Sequence, residues 1–275
     1  MPRDRPALPI SHALVLGLVQ GPTELLPVSS SAHTTLIPLL LDWPYGGLDR
    51  ELRKSFEVAL HAGAGIALVL DMRNELITAT RALDRARVGV IALSLAPAAL
   101  TGFMLRGPIE RRLGGPRAIV AGLTLGSAAM ALAGRGKGEG GRSEDDARPG
   151  DGLALGLAQA VALVPGISRY GATLAAARAR EFSPQAAQSL SWHAALPLIL
   201  GASAHEVSRF VRADVPARNA APLAAGAGAA FASTLLSARL LRRPRRALRS
   251  LLPWSLYRLL LGALVLLRTR AGGCA

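Results

Sequence analysis

Two short stretches hold most of the side chains in this sequence that could do polar chemistry in apolar surroundings. The first, residues 17–34, reads Gly-Leu-Val-Gln-Gly-Pro-Thr-Glu-Leu-Leu-Pro-Val-Ser-Ser-Ser-Ala-His-Thr. Its carboxylate (Glu24), imidazole (His33) and three consecutive hydroxyls (Ser29, Ser30, Ser31) are costly in lipid or a packed core unless they bind something or one another. The second, Val164-Pro-Gly-Ile-Ser-Arg-Tyr-Gly-Ala-Thr173, poses the same problem with Arg169 as its charge. Gln20 and Glu24 are four residues apart, Ser30 and His33 three apart, and Ser168, Arg169 and Thr173 cluster at a second helix start. Two helix N-termini, an arginine fork and several hydroxyls favour an anion rich in acceptor oxygens, most simply phosphate. Glu24 would repel such an anion unless a divalent cation or a transferring proton lies between them, and Mg²⁺ held by one or two carboxylates, waters and phosphate oxygens suits that arrangement. Ser29 and Ser31 read as helix caps, and Thr173 as a cap or a phosphate contact. Glu57 and His61 share a helix face, as interfacial and core residues or as neighbours of the site. His193 and His205 read as interfacial or core histidines.

The elements that must carry these residues follow from the prolines and the apolar runs. Residues 10–20 begin a helix that Gly21-Pro22 should break or kink, since proline removes an amide donor and clashes with the preceding turn. Pro27 interrupts again, and Ser29–Ser31 lead into a helix over about 32–41. Neither half spans a bilayer alone, so 10–41 is predicted to be a re-entrant pair of half-helices, tolerable only inside protein or beside a polar cavity. The pattern recurs: Gly17-Leu-Val-Gln20 matches Gly156-Leu-Ala-Gln159, Leu26-Pro27 matches Val164-Pro165, and Val28-Ser29 matches Ile167-Ser168 once one glycine is allowed for. Apolar runs of transmembrane length lie at about 55–72, 88–105, 118–134, 185–205, 219–238 and 250–267. The expectation is an all-α polytopic membrane protein of about six full spans plus two re-entrant segments. The whole chain, 1–275, is expected to form a single membrane domain, with repeat 1 over about 10–134, a flexible loop at 135–151 and repeat 2 over about 152–268. Three spans separate the two broken segments, so they enter from opposite sides, as an inverted-topology repeat with its site near the midplane.

Charge agrees with a membrane setting. Lys and Arg number 32 against 18 Asp and Glu, and only Lys54 and Lys137 are lysine. The arginines sit between apolar runs, which points to the positive-inside rule and anionic headgroups rather than to nucleic acid; the run Arg239, Arg242, Arg243, Arg245, Arg246, Arg249 is the clearest case. Loops 73–87, 135–151 and 239–249 carry fourteen basic residues against seven in 106–117 and 206–218, so the first set is expected in the cytoplasm. Cys274 is the single cysteine, which excludes an intrachain disulfide and a cysteine-based metal cluster. The first residues show no cleavable signal pattern. Within 135–151, Gly-Arg-Gly-Lys-Gly-Glu-Gly-Gly has no Gly-Lys-Ser/Thr ending, which argues against a nucleotide loop and for a solvated linker.

Gln20-x-x-x-Glu24 followed by Leu-Pro-Val-Ser-Ser-Ser-Ala-His33, together with Pro165-Gly-Ile-Ser-Arg169-x-Gly-Ala-Thr173, resembles the undecaprenyl-diphosphate phosphatases, or bacitracin-resistance family. Chain length, span order and Ala195-Leu-Pro-Leu-Ile-Leu-Gly-Ala202 are also similar to that family. The resemblance implies a multi-pass enzyme of the bacterial plasma membrane whose active site faces the periplasm, and which hydrolyses the long-chain isoprenyl diphosphate carrier of cell-wall synthesis to its monophosphate. It implies that Glu24 is the essential acid and a metal ligand, that His33 and Ser30 do the central chemistry, and that Arg169 grips the diphosphate. Ser168, Thr173, Ser29 and Gln20 would then line the substrate, with Mg²⁺ or Ca²⁺ as cofactor. A homodimer is one assembly it allows, and no nucleic acid partner is implied. Three positions depart from the pattern: Gln20 where Glu is frequent, Tyr170 where Ser is usual, and Ala32 in place of Gly. The competing class is an inverted-repeat carrier or flippase that moves a lipid phosphate without hydrolysing it; Glu24 beside His33 argues for proton or metal chemistry instead.

Overall fold

The computed structural model describes residues 7–81, 84–135, 139–212, 217–241 and 250–271. Arg242, Arg243, Arg245, Arg246 and Arg249 of the basic run, Lys137 and Cys274 lie outside these residues, as does the side chain of His205. The described chain is helical throughout: α1 (Ile10–Leu25), α2 (Ser30–Leu40), α3 (Arg50–Asp71), α4 (Arg73–Arg81), α5 (Arg85–Leu113), α6 (Pro116–Ala133), α7 (Pro149–Val161), α8 (Arg169–Ala179), α9 (Pro184–Arg212), α10 (Ala217–Leu241) and α11 (Leu252–Ala271). Every predicted span falls on a helix. Four of them, in α5, α6, α10 and α11, are long and apolar enough to cross a membrane.

The chain divides into two compact units, one of residues 1–25, 33–76 and 199–243, the other of residues 26–32, 77–198 and 244–275. In the first, α1 and α3 pack on α10. Small residues make this approach close: a Cβ at Gly17 would meet the Gly226 carbonyl and Ala229, one at Gly21 would meet Ser233 and Thr234, and one at Gly63 would meet the Ala227 backbone. Helices without large side chains at the seam gain packing and backbone proximity, which is how helices associate where no hydrophobic effect separates them from lipid. Leu16, Tyr45, Phe56, Leu60 and Leu223 fill the core of this unit.

In the second unit α7 packs on α5, α8 on α6 and α7, and α11 on α6. Met130, Leu155, Leu174, Phe182 and Leu190 form its core. Pro97 inside α5 and Pro197 inside α9 each remove one helical hydrogen bond. The buried Gln159 amide serves the carbonyls one turn earlier in both helices, donating to Ser94 O (2.9 Å) and Ala194 O (3.3 Å).

Three expectations change. First, α1 is not broken at Gly21-Pro22 but runs on to Leu25, with Pro22 inside it. Ser233 of α10 makes this tolerable: the Gly21 N–H donates to its hydroxyl (3.1 Å), and that hydroxyl donates to Gly17 O (2.9 Å). A side chain thus sits in the i to i−4 ladder beside the proline and satisfies both its ends. The break falls at residues 26–29, before α2 starts at Ser30. Second, the loop 73–87 contains a helix, α4. Third, residues 141–151 are not a free linker, because Asp151 and Glu144 bind them to the second unit, as the site geometry shows next.

Candidate functional site

The first cluster lies on one face of α1 and meets α3. Gln20 is wholly buried, and its Nε2 donates to Glu24 Oε2 (3.3 Å) and lies 3.2 Å from His61 Nδ1. Glu24 Oε2 is 3.9 Å from the same nitrogen, and the Glu24 side chain is 9% exposed while His61 is 46% exposed. Because α1 is continuous, Gln20 and Glu24 sit one turn apart on an unbroken helix, and the amide orients the carboxylate. Thr23 between them is occupied locally, its hydroxyl donating to Val19 O (2.8 Å). The pairing of Glu57 with His61 divides in the structure: His61 joins the cluster, whereas Glu57 is exposed.

Of the remaining candidate residues, Ser29–Ser31, Ser168, Arg169 and Thr173 belong to the other unit. Ser29 has φ +75°, a left-handed conformation unusual for a residue with a side chain, and its hydroxyl is 3.3 Å from that of Ser31. Such strain persists only where the surroundings hold it, and it collects at ligand sites. Ser29 is buried, Ser30 half-buried and Ser31 exposed at the start of α2. His33, one turn further along α2, belongs to the first unit and is buried. Ser168 caps α8 by accepting from the Gly171 N–H at 3.1 Å, and that bond leaves its hydroxyl proton uncommitted. Arg169 is half-buried in the first turn of α8. The Thr173 hydroxyl donates back to Arg169 O and Tyr170 O, both at 3.1 Å, and is fully buried. Tyr170 points away from this cluster into the unit's core, its ring 4.9 Å from that of Trp192.

The 26–32 and 164–169 segments are tied by a residue that sequence reading missed. Pro27 O and Gly166 O both accept from the guanidinium of Arg258 on α11, at 3.2 and 2.9 Å. Arginines near helix ends invite an interfacial reading, and nothing in the spacing of Arg258 sets it apart; the signal was a single charge at the centre of an apolar run. Gly166 has φ +93°, and a Cβ there would strike the Ile119 carbonyl, so only glycine fits this turn.

At the far ends of α7 and α8 a second set of charges closes the hairpin. Asp151, at the start of α7, accepts from Arg142 Nη2 (2.7 Å), Arg180 Nε (2.7 Å) and the Arg148 N–H (2.9 Å). Burial alone would raise its carboxyl, but these bonds outweigh burial and hold it at about 2. Arg142 also lies over the Phe182 ring, 4.2 Å from its centroid. Glu144 accepts from Ser189 Oγ (2.6 Å) and pairs with His193 Nδ1 (2.6 Å). Burial pushes the Glu144 carboxyl up, yet the bonds from His193 and Ser189 bring it below the usual range. His193 therefore fixes a loop.

Among the described residues no three His, Cys, Asp or Glu side chains gather in a way that could hold a metal ion. Gln20 Oε1 is buried and accepts no hydrogen bond, while the Nε2 end of the same amide faces Glu24. The Glu24 carboxylate suits Mg²⁺ or Ca²⁺ provided that water and substrate oxygens complete the shell.

A family model described as Bacitracin resistance protein BacA matches residues 13–264. An undecaprenyl-diphosphatase of Geobacter metallireducens is 37% identical over 271 residues, covering 93% of this chain and 97% of its own. Those of Geobacter sulfurreducens and Thermomicrobium roseum are 36% and 37% identical, covering 94% and 93% of this chain and 97% and 96% of theirs. The match takes in both clusters and every described helix in whole or part, and the chain belongs to the BacA bacitracin resistance family.

Proposed function

We propose that this protein is a membrane enzyme that hydrolyses undecaprenyl diphosphate to undecaprenyl phosphate and inorganic phosphate. The observation that carries the reading is the hydroxyl and imidazole of the first motif in the opening turn of α2, the arginine of the second at the start of α8 and the acid at the end of α1, in a chain aligned almost end to end with undecaprenyl-diphosphatases. Arg169 offers a planar fork to the phosphate oxygens, and the free amides opening α2 and α8 add donors. Ser168 donates its remaining proton to the same anion. Thr173 supports the turn that carries Arg169, since its own proton is spent on helix carbonyls. Ser30 Oγ, or a water in its place, attacks the terminal phosphorus; the bond to the bridging oxygen breaks, undecaprenyl phosphate leaves, and His33 takes the nucleophile's proton. If Ser30 attacks, water then cleaves the phosphoserine. Gln20 holds Glu24 in place. A divalent cation bound by Glu24 would neutralise the charge between the carboxylate and the diphosphate.

Six spans with two re-entrant hairpins in an inverted repeat is the topology we favour. It is supported by α1 packing on α10 while α7, its counterpart, packs on α5: each hairpin's first helix rests on a span of the other repeat. The basic loops then face the cytoplasm and the site faces the periplasm of a bacterial plasma membrane. Mass spectrometry of protein quenched during turnover tests the covalent step. A phosphorylated Ser30 peptide supports it, and its absence under burst conditions leaves direct attack by water.

A further inference from the structure

Arg258 lies in the middle of the membrane helix α11 and is 0% exposed. A cation there is costly unless its hydrogen bonds are satisfied and its charge answered. The bonds it makes are all to uncharged groups: Nη1 donates to Pro27 O (3.2 Å) and Met130 Sδ (3.3 Å), and Nη2 to Gly166 O (2.9 Å) and Leu123 O (3.3 Å). Nε has no partner, and no carboxylate pairs with the guanidinium among the described residues. The pocket is shaped for the fork. A Cβ at Gly126 of α6 would overlap Nη2, and one at Gly171 of α8 would come within 3.1 Å of Nη1. Two of the four acceptors belong to the turns that lead into α2 and α8, where Ser29–Ser31 and Ser168–Arg169 stand. An apolar side chain would fill the same space without the desolvation cost, so packing alone does not account for a charge here.

We propose that Arg258 is a positioning residue for the diphosphate: its fork fixes the 26–29 and 164–168 turns relative to each other, and its unanswered charge favours an anion at the helix starts these turns present. The proposal rests on the phosphatase reading and adds a residue that never touches substrate. The rigid double fork matters because lysine, a point charge, cannot hold two carbonyls in fixed register.

The test uses the full-length protein in detergent with a short-chain isoprenyl diphosphate as substrate and its non-hydrolysable methylenediphosphonate analogue as a binding probe. Arg258→Met is expected to raise KM and the analogue's Kd about tenfold or more, with a smaller loss in kcat. Arg258→Lys should recover part of the affinity through its charge. Gly126→Ala, which keeps the arginine but displaces its fork, should raise KM several-fold. A purely structural role predicts instead a lowered melting temperature with wild-type KM and kcat in the folded fraction, and that result overturns the proposal. Should Arg258→Met fail to fold, the other two variants decide: wild-type kinetics in both overturns it, and a raised KM below their melting temperatures supports it. Wild-type protein that binds the analogue but releases no phosphate would remove the hydrolytic reading and leave the binding prediction standing. Wild-type protein that does neither overturns both.

Discussion

Asp151→Asn replaces one oxygen by an amide group at the point where the ends of the second hairpin are joined. The aspartate receives two arginines and a backbone amide while 1% exposed, so its charge is answered within the protein rather than by water. Its carboxyl lies at about 2 against an ordinary 3.8, nearly two pH units. At ~1.4 kcal/mol per unit, the charged form is favoured by about 2 kcal/mol in the folded protein. A depressed pKa adds stability that is complete above about pH 4 and is lost as pH falls through about 2. For a chain of this size ~2 kcal/mol corresponds to roughly 4–8 °C in Tm. Thermal unfolding in detergent at neutral pH should therefore show Asp151→Asn melting lower by that amount, and the gap should narrow toward pH 2 as wild-type Asp151 protonates. Added salt should change the gap little, because the Asp151 carboxylate itself is buried. Equal melting temperatures at neutral pH would refute the reasoning, as would a gap that stays the same at pH 2.

Other substitutions separate support from chemistry. Gln159→Leu removes the buried side-chain donor that the Ser94 and Ala194 carbonyls share, so stability should fall by about 1–3 kcal/mol with kcat per folded molecule unchanged; Gln20→Leu should lower kcat/KM more than tenfold with Tm near wild type. Both are read by melting curves and phosphate release in parallel. Gly166→Ala forces a Cβ into the Ile119 carbonyl at positive φ and should cost about 1–3 kcal/mol, seen as a lower Tm and a raised KM. Thr173→Val keeps shape but loses two local bonds; kcat/KM should fall a few-fold, whereas Ser30→Ala should fall by orders of magnitude.

The helical plan was legible because apolar runs and prolines encode it directly: each predicted span holds a helix, and both motif segments precede helix starts. The continuity of α1 through Pro22 was not, because it rests on Ser233, more than two hundred residues away, and no local pattern announces a hydroxyl that bridges Gly17 and Gly21. The repeated glutamines show the same limit. Gln20 and Gln159 read alike, but neighbours from distant helices give one a carboxylate to orient and the other two carbonyls to satisfy. Of Glu57 and His61, which the sequence set together on one helix face, packing brings only His61 to Glu24. Composition also misled at 141–151, where glycine and mixed charge suggested a linker while Asp151 and Glu144 fasten the segment down.

The most direct test of the central claim is release of inorganic phosphate from undecaprenyl diphosphate by the purified protein in detergent, with Glu24→Ala and Arg169→Ala alongside. Turnover in the wild type that falls by orders of magnitude in both folded variants is the predicted result. Turnover that both variants retain would contradict the site, and a wild type that releases no phosphate would contradict the function.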